Sequence, residues 1–239
     1  MKRVLAQAKV ELILTLRRGE SLLVTIGIPV GILAFFSLVD VLPHGSGKAV
    51  DFLVPGVLAL SVISSAMTSL GIATGFERHA GVLRRLGTTP LGRGGLLAAK
   101  CIALLATVVV QVAAVVVVGY LLGWKPHGDP LLAVGLIVLG VVVFAALGFL
   151  LAGRLRAETN LAAANGLFLV FLLLGGIVVS MSKLPGGIAS FSRALPAEPL
   201  ATSLRDALGG IGVPVRALVT LAIWAVAASF VAVTTFRWD

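Results

Sequence analysis

Charged and chemically reactive side chains are scarce in this chain. Only 12% of its 239 residues are Asp, Glu, Lys or Arg, and it has one cysteine and three histidines. The lone cysteine, Cys101, cannot form a disulfide within the chain. The histidines His44, His79 and His127 all fall between the long apolar runs. The sequence therefore argues against a zinc site and against a catalytic Ser–His or paired-Asp arrangement at membrane depth.

A phosphate-binding loop is missing as well. Residues 45–48, Gly-Ser-Gly-Lys, resemble the end of the pattern G-x-x-x-x-G-K-[ST], but Leu42 stands at the first glycine and Ala49 at the final Ser or Thr. We therefore expect no nucleotide or other cofactor to bind to this chain itself. Acidic groups inside the apolar runs, which ion-coupled carriers tend to use, are also lacking, since the deepest polar residues, Gln111 and Asn165, are neutral.

Apolar residues, by contrast, make up 59% of the chain, and the mean hydropathy is +1.10. They form six runs, each close to the roughly 20 residues that a helix needs to cross the bilayer core. A soluble protein would leave far too much of this surface in water. The sequence therefore predicts an all-α integral membrane protein, a single domain over residues 1–239 with six transmembrane helices. The predicted spans are residues 21–41, 52–76, 96–123, 131–152, 160–181 and 214–236.

The basic residues are distributed unevenly about these spans. Of the 19 Lys and Arg residues, 13 precede the first span or follow the second, fourth and sixth, and the other six fall in the alternate segments. Cytoplasmic loops of membrane proteins carry the excess of Lys and Arg, so both termini are predicted to be cytoplasmic. The cations flank spans instead of forming a stripe with interleaved aromatics. Membrane lipids, not nucleic acid, are therefore the expected anionic partner.

Residues 1–18 are predicted to form a short amphipathic helix in the plane of the membrane interface. An ordinary charged tail that only sets the topology is the alternative. The apolar positions of one side are Leu5, Ala8, Leu12, Ile13 and Leu16. The polar positions of another side are Arg3, Gln7, Glu11 and Arg18.

Small and neutral polar residues recur inside the predicted spans. Gly27-x-x-x-Gly31 and Gly71-x-x-x-Gly75 have the spacing that lets helix backbones approach closely. The polar residues either bond neighbouring helices, which we favour, or line a substrate pathway. These candidate pathway or packing residues are Ser61, Ser65, Thr68, Gln111 and Asn165.

Two connecting segments are more than simple loops. Residues 77–91 permit a short amphipathic helix that Gly87 ends and Pro90 prevents from continuing. Such a helix would dock on a cytoplasmic partner and carry its motion into the second and third spans, whereas the alternative is a basic loop that fixes topology. Residues 183–212 contain several prolines and glycines, yet they are too apolar for a free linker.

Three stretches, in order, resemble the ABC-2 type permeases, the membrane subunits of ATP-driven bacterial exporters, and the resemblance is greatest to daunorubicin-resistance-type drug exporters. The first stretch is Asp51–Gly56, at the entry to the second span. The second contains Glu77-Arg78, Gly81, Leu83–Leu86 and Thr89–Leu91, and the third is Phe191–Leu200 with Ser203–Arg205.

The resemblance implies a division of labour between chains. Residues 77–91 would contact a separate ATPase, present in two copies, which would bind ATP and Mg. A second permease chain, identical or related, would complete the pathway. The implied ATPase-coupling residues are Glu77, Arg78, Gly81, Leu83, Arg84, Arg85, Leu86, Thr89 and Pro90. Residues 183–212 would form external re-entrant helices that include Phe191, Leu195, Pro196, Pro199 and Arg205.

The expected function is that of a non-catalytic permease subunit in a bacterial inner membrane, exporting lipophilic or amphipathic, drug-like compounds. Lipids or lipid-linked glycans are an alternative cargo, because neutral spans rich in small residues suit them equally. An ion-coupled carrier and a membrane scaffold that transports nothing are the alternatives from other classes.

Overall fold

The computed structural model describes residues 2–17, 19–39, 49–89, 91–177 and 185–236. All regular secondary structure in these ranges is helical, which confirms the predicted all-α class. The helices are α1 (Lys2–Arg17), α2 (Gly19–Leu38), α3 (Ala49–His79), α4 (Val82–Gly87), α5 (Gly92–Leu121), α6 (Pro130–Arg154), α7 (Ala157–Leu174), α8 (Gly186–Ser192), α9 (Ala197–Gly209) and α10 (Val215–Thr235).

Within the described ranges, five helices are long and apolar enough to cross a membrane: α3, α5, α6, α7 and α10. Helix α2 coincides with the first predicted span, but its described apolar stretch, Thr25–Leu38, is shorter. The structure therefore supports five spans and leaves the sixth as a prediction. Some predicted residues lie outside the described ranges: Met1 and Arg18 of the predicted amphipathic helix, residues 40–41 and 178–181 of the predicted spans, Pro90, and residues 183–184 of the predicted re-entrant segment.

Helix ends coincide with residues suited to ending or starting a helix. Asp129 caps α6, since its Oδ1 accepts the Leu131 backbone N–H at 2.8 Å, and Pro130 occupies the first helical position. Gly81, whose φ is 71°, lies at the boundary that separates α3 from α4. Helix α3 also contains a π-helical segment, Ser64–Ser69, where the backbone bulges.

Helix α3 is the centre of the bundle. In the most apolar 18-residue stretch of α3, 83% of the residues are buried. The corresponding share is 22% in both α7 and α10. It packs against α2, α5, α6, α7 and α9. The apolar core around it joins Leu60 and Ile63 of α3 to Phe144 of α6 and Leu204 of α9. The outer helices consequently leave much of their apolar surface for lipid or for another protein chain.

Close helix contacts rely on glycine, as the spacing of Gly71 and Gly75 predicts. A Cβ on Gly71 would lie 3.0 Å from the Cα atom of Gly148 in α6. A Cβ on Gly75 would lie 2.4 Å from Nδ2 of Asn160 in α7. The identical spacing of Gly27 and Gly31 has a different outcome, because nothing among the described residues lies within 4 Å of a Cβ built on either.

Helices α8 and α9 occupy the segment that was expected to be too apolar for a linker. Helix α9 packs on α3, α6 and α10. Its last carbonyls are bonded by the α5–α6 connection: His127 N–H donates to Leu208 O at 3.1 Å, and Asp129 N–H donates to Ala207 O at 3.0 Å. The Trp224 indole N–H of α10 donates to Ala194 O at 2.8 Å. At this end of the bundle, α9 is therefore bonded to the α5–α6 connection and packed on α3, α6 and α10.

Candidate functional site

The last turn of α3 is tied to α6 by Arg78. Its Nη1 donates to Gly153 O and its Nη2 donates to Leu155 O, both at 2.6 Å. These carbonyls belong to the C-terminal end of α6, where a cation is favoured by the helix dipole and by the unpaired carbonyl groups. Arg78 therefore faces into the protein and connects the predicted coupling segment with the α6–α7 junction.

Glu77 ties the same turn to other helices. Its Oε2 lies 2.6 Å from Nζ of Lys100 in α5, and that Nζ also lies 3.1 Å from Oε2 of Glu11 in α1. The Lys100 side chain is only 2% exposed. Adjacent residues of α3 thus reach α5 and α1 through Glu77, and α6 through Arg78.

Lys100 is not among the predicted site residues; from the sequence it is only one of the cations that set topology. A signal was available. Lys100 falls inside the predicted third span, residues 96–123, and an ionisable residue within a membrane helix is uncommon and usually has a partner.

The predicted coupling segment, residues 77–91, is not one helix: residues 77–79 form the last turn of α3, and the separate helix α4 (Val82–Gly87) presents the docking residues Leu83–Leu86. Leu83 is buried and anchors the helix, whereas Arg84 and Arg85 are exposed. Leu86 is half-buried, and the Thr89 hydroxyl donates to Leu86 O at 2.6 Å, which caps the end of the helix. Helix α4, which we call the knob, is therefore a short surface helix anchored by a buried leucine and carrying two exposed arginines.

The structure separates the five pathway or packing candidates into two groups. Ser65 donates through Oγ to Gln111 Oε1, and Gln111 Nε2 donates to Thr25 O at 3.0 Å, which links α2, α3 and α5. Ser61 is fully buried and donates to Val57 O at 2.9 Å within its own helix. These three candidates are engaged in helix packing.

Thr68 and Asn165 instead line a groove. This cavity, of about 740 Å³, lies between α2, α3 and α7. Its wall is mainly apolar, and Glu77 and Val82 border it at the coupling segment. The wall residues are Ile28, Ile72, Ala73, Phe76, Leu161 and Phe168, with Thr25, Ser64 and Ser69 as further polar positions. The groove therefore adjoins the turn that Glu77 and Arg78 hold.

Asn160 is a second residue that sequence reasoning missed. It is fully buried where α7 crosses α3, and its Nδ2 donates to Gly71 O at 2.9 Å. The amide sits against Gly75, where a side chain would collide with it. Its position at the start of the predicted span 160–181 was a signal, because a polar group there needs a partner.

Among the candidates before the last span, Arg205 of α9 contacts other parts of the bundle directly. Its Nη2 donates to Gly176 O at 3.0 Å, and its Cζ lies 3.9 Å from the ring centre of Phe52, a cation–π contact. Burial lowers the pKa of Arg205 to about 10, opposed by the charges of Asp206 and Glu198, so the side chain stays cationic at neutral pH. Pro196 and Pro199 are buried, Leu195 is half-buried and Phe191 is exposed.

Comparisons with known proteins agree with this picture. A family model described as "ABC-2 type transporter" matches residues 3–209. The chain is also 28% identical, over 169 residues, to the daunorubicin resistance ABC transporter permease protein DrrB1 of Streptomyces coeruleorubidus. That alignment covers 67% of this chain and 58% of the relative, so the chain spans less than two thirds of the relative's length.

Proposed function

The chain belongs to the ABC-2 type transporter family, and we propose that it is the permease subunit of an ATP-driven exporter. In this proposal the chain catalyses no reaction itself. A separate ATPase subunit, in two copies, binds ATP and Mg and supplies the energy. Two permease chains, identical or related, pair in a bacterial inner membrane with both termini and α4 in the cytoplasm. The excess of Lys and Arg on that side supports this orientation.

The observation that carries the proposal is the connection of α4 to the bundle. Arg84 and Arg85 lie exposed on a helix rooted by Leu83, and the preceding turn is bonded to α5 and α6. Closure of the ATPase pair would push on this knob. The displacement would pass through Arg78 to the α6–α7 junction and so to α3 and α7, two of the three helices that line the groove. Coupling of this kind commonly amounts to about 1–3 kcal/mol.

The groove supports a lipophilic or amphipathic cargo. Its wall is mainly apolar, with isolated neutral groups such as Thr68 and Asn165 that would orient a polar part of the substrate. The relative is named for daunorubicin resistance, which favours drug-like compounds for this chain too. Lipids or lipid-linked glycans fit the same chemistry. Competition of each class against a fluorescent lipophilic cation in transport assays would separate them.

Charge reversal on the knob tests the proposal. Arg84→Glu with Arg85→Glu should reduce ATP-dependent transport by roughly a hundredfold, because both contacts with the ATPase would become repulsive. Membrane insertion should be unchanged, since both side chains are exposed. The matched control is Lys125→Glu with Arg193→Glu, which reverses two exposed charges outside the coupling segment and should retain most transport.

Reconstitution distinguishes the alternatives from other classes. Proteoliposomes with the permease and its ATPase should accumulate substrate only with ATP, and the permease alone should be inactive under any ion gradient. Transport by the isolated chain under a proton or sodium gradient would establish an ion-coupled carrier instead. An assembled complex whose ATP hydrolysis no substrate stimulates, and which transports nothing, would favour a scaffold.

A further inference from the structure

Lys100 joins three helices at one buried point. The Nζ atom lies 2.6 Å from Glu77 Oε2 at the end of α3 and 3.1 Å from Glu11 Oε2 in the middle of α1. An ammonium group has three donors, so it can serve both carboxylates at once. The contact therefore connects the amphipathic helix at the start of the chain with the root of the predicted coupling segment.

Glu11 is built into this contact. Its other oxygen, Oε1, accepts from Gln7 Nε2 at 3.0 Å, and Gln7 is also half-buried. The polar side of α1 is thus turned onto α5, while its cations Lys2, Lys9 and Arg17 remain exposed. An amphipathic helix that only rested on lipid would keep this carboxylate in water, because burying an unpaired charge is costly.

The position of Glu77 gives the contact its consequence. Glu77 lies one turn before Gly81, whose positive φ marks the break between α3 and α4. Arg78 binds α6 in another direction. The end of α3 is therefore held by two contacts, one with α6 through Arg78 and one with Lys100. Through Lys100 it is connected with α1, whose exposed face is basic.

The space next to Lys100 adjoins the groove. A cavity of about 90 Å³ is lined by Glu11, Lys100, Thr15 and Thr107, and it shares Thr25, Ser69 and Ala73 with the larger groove between α2, α3 and α7. A displacement at Lys100 would thus reach the groove.

We propose that Lys100 is a positioning residue that makes α1 move together with the coupling segment. Through Glu11 and Glu77 it clamps the amphipathic helix to the end of α3, so that α1 becomes part of the unit that the ATPase displaces. The inference rests on the proposed function of residues 77–91 as the coupling segment. The clamp itself is a structural statement that can be tested without an ATPase.

The first experiment measures the clamp directly. Spin labels are placed at Ala6→Cys on α1 and His79→Cys at the end of α3, in a Cys101→Ala background in lipid nanodiscs. Double electron–electron resonance should give one narrow distribution of the distance between the two labels in the parent protein. Lys100→Met should broaden or split this distribution, because two partly buried carboxylates then face each other without a cation. An unchanged narrow distribution in Lys100→Met would overturn the proposal.

The second experiment measures coupling in the assembled transporter. Lys100→Met should lower the number of substrate molecules exported per ATP hydrolysed by roughly tenfold, whereas Lys100→Arg should keep at least half of the parent ratio. The control is Lys125→Met, which removes an exposed lysine just beyond the other end of α5 and should leave the ratio unchanged. A parent ratio in Lys100→Met would refute the positioning role.

Charge swaps guard against a variant that fails to fold. Lys100→Glu with Glu11→Lys and Lys100→Glu with Glu77→Lys both retain the cluster's net charge, so each should recover distance and coupling relative to Lys100→Glu alone. If neither swap recovers anything in protein that elutes as a single species, the proposal fails. If the parent shows no ATP-dependent transport, the proposed function fails, and the distance measurement alone decides the clamp.

Discussion

The two ends of helix α5 lie in regions that are held together by different chemistry. Near its start, long charged side chains make the connections: Lys100 pairs with two carboxylates, and Arg78 reaches the end of α6. Beyond its other end, the connection to α6 is held by bonds between backbone groups, since the His127 and Gly128 N–H groups both donate to Leu208 O, and the side chains of Arg205 and Trp224 add bonds to carbonyls. We call the first region the charged end and the second the backbone-bonded end.

This difference assigns different mechanical roles. Long side chains can change rotamer and keep a partner while helices shift by an ångström or two, so the charged end can move. Bonds between two backbone groups tolerate less movement, because neither group has a rotatable side chain that could keep the hydrogen-bond geometry while the helices shift. The charged end is also where Arg84 and Arg85 are exposed. The comparison predicts that substitutions at the backbone-bonded end reduce stability, whereas those at the charged end reduce coupling.

The largest loss of stability is expected for Gly128→Ala at the backbone-bonded end. A Cβ there would lie 1.8 Å from the backbone O of Ala207, so the loop must move away from α9. Three N–H groups, of residues 127–129, then lose their acceptors. At about 1 kcal/mol for each bond, the free energy of unfolding should fall by about 3 kcal/mol. Reversible denaturation in mixed micelles would measure it.

The control for this prediction is Gly135→Ala in α6. Nothing lies within 4 Å of a Cβ built there, and the residue is exposed on a helix. Alanine is the better helix former, so this variant should be neutral or more stable by up to about 1 kcal/mol. Equal stability for the two variants would contradict the tight backbone contact at Gly128.

The sequence predicted the helical class, the closely packed pair Gly71 and Gly75, and a short helix before Gly87, because these depend on local periodicity and on residues that end helices. It could not distinguish Gly71 and Gly75 from Gly27 and Gly31, which have the same spacing. Close approach requires a second helix at the right place, and the glycine spacing within one helix does not show where a second helix packs.

An intermediate effect on stability, with a large effect on coupling, is expected for Arg78→Lys at the charged end. Lysine keeps the charge but cannot bond Gly153 O and Leu155 O together with a planar fork. Losing one charge-assisted bond should lower the free energy of unfolding by about 2 kcal/mol. Transport per ATP should fall by roughly tenfold, because the α6–α7 junction would no longer follow α4.

The matched control is Arg154→Lys, since Arg154 is an exposed arginine at the same end of α6. It should change neither unfolding nor transport. If Arg78→Lys lowered stability but left the ratio of transport to hydrolysis intact, Arg78 would be a helix cap without a role in transmission. The contrast between the two ends would then be lost.

Partners of polar residues were the part of the site that the sequence could not supply. Gln111 and Asn165 look alike as neutral polar residues in apolar helices, yet the first is bonded between helices and the second lines the groove. Periodicity places a residue on a face of its helix, and tertiary packing decides what that face meets. Glu11 is a further example: the sequence places it on the polar side of α1, and only the structure shows that this side faces Lys100.

The smallest effect is expected at the backbone-bonded end, where Arg205 lies over Phe52. Arg205→Lys should lower the free energy of unfolding by about 1 kcal/mol, because lysine cannot stack its charge flat on the ring. Phe52→Leu should remove the same contact, so the double variant should lose less than the sum of the single losses. Arg193→Lys, at an exposed position, is the control. Strictly additive losses would mean that the two side chains do not stabilise each other, and that the backbone acceptors Gly176 O and Phe52 O hold Arg205 at this end.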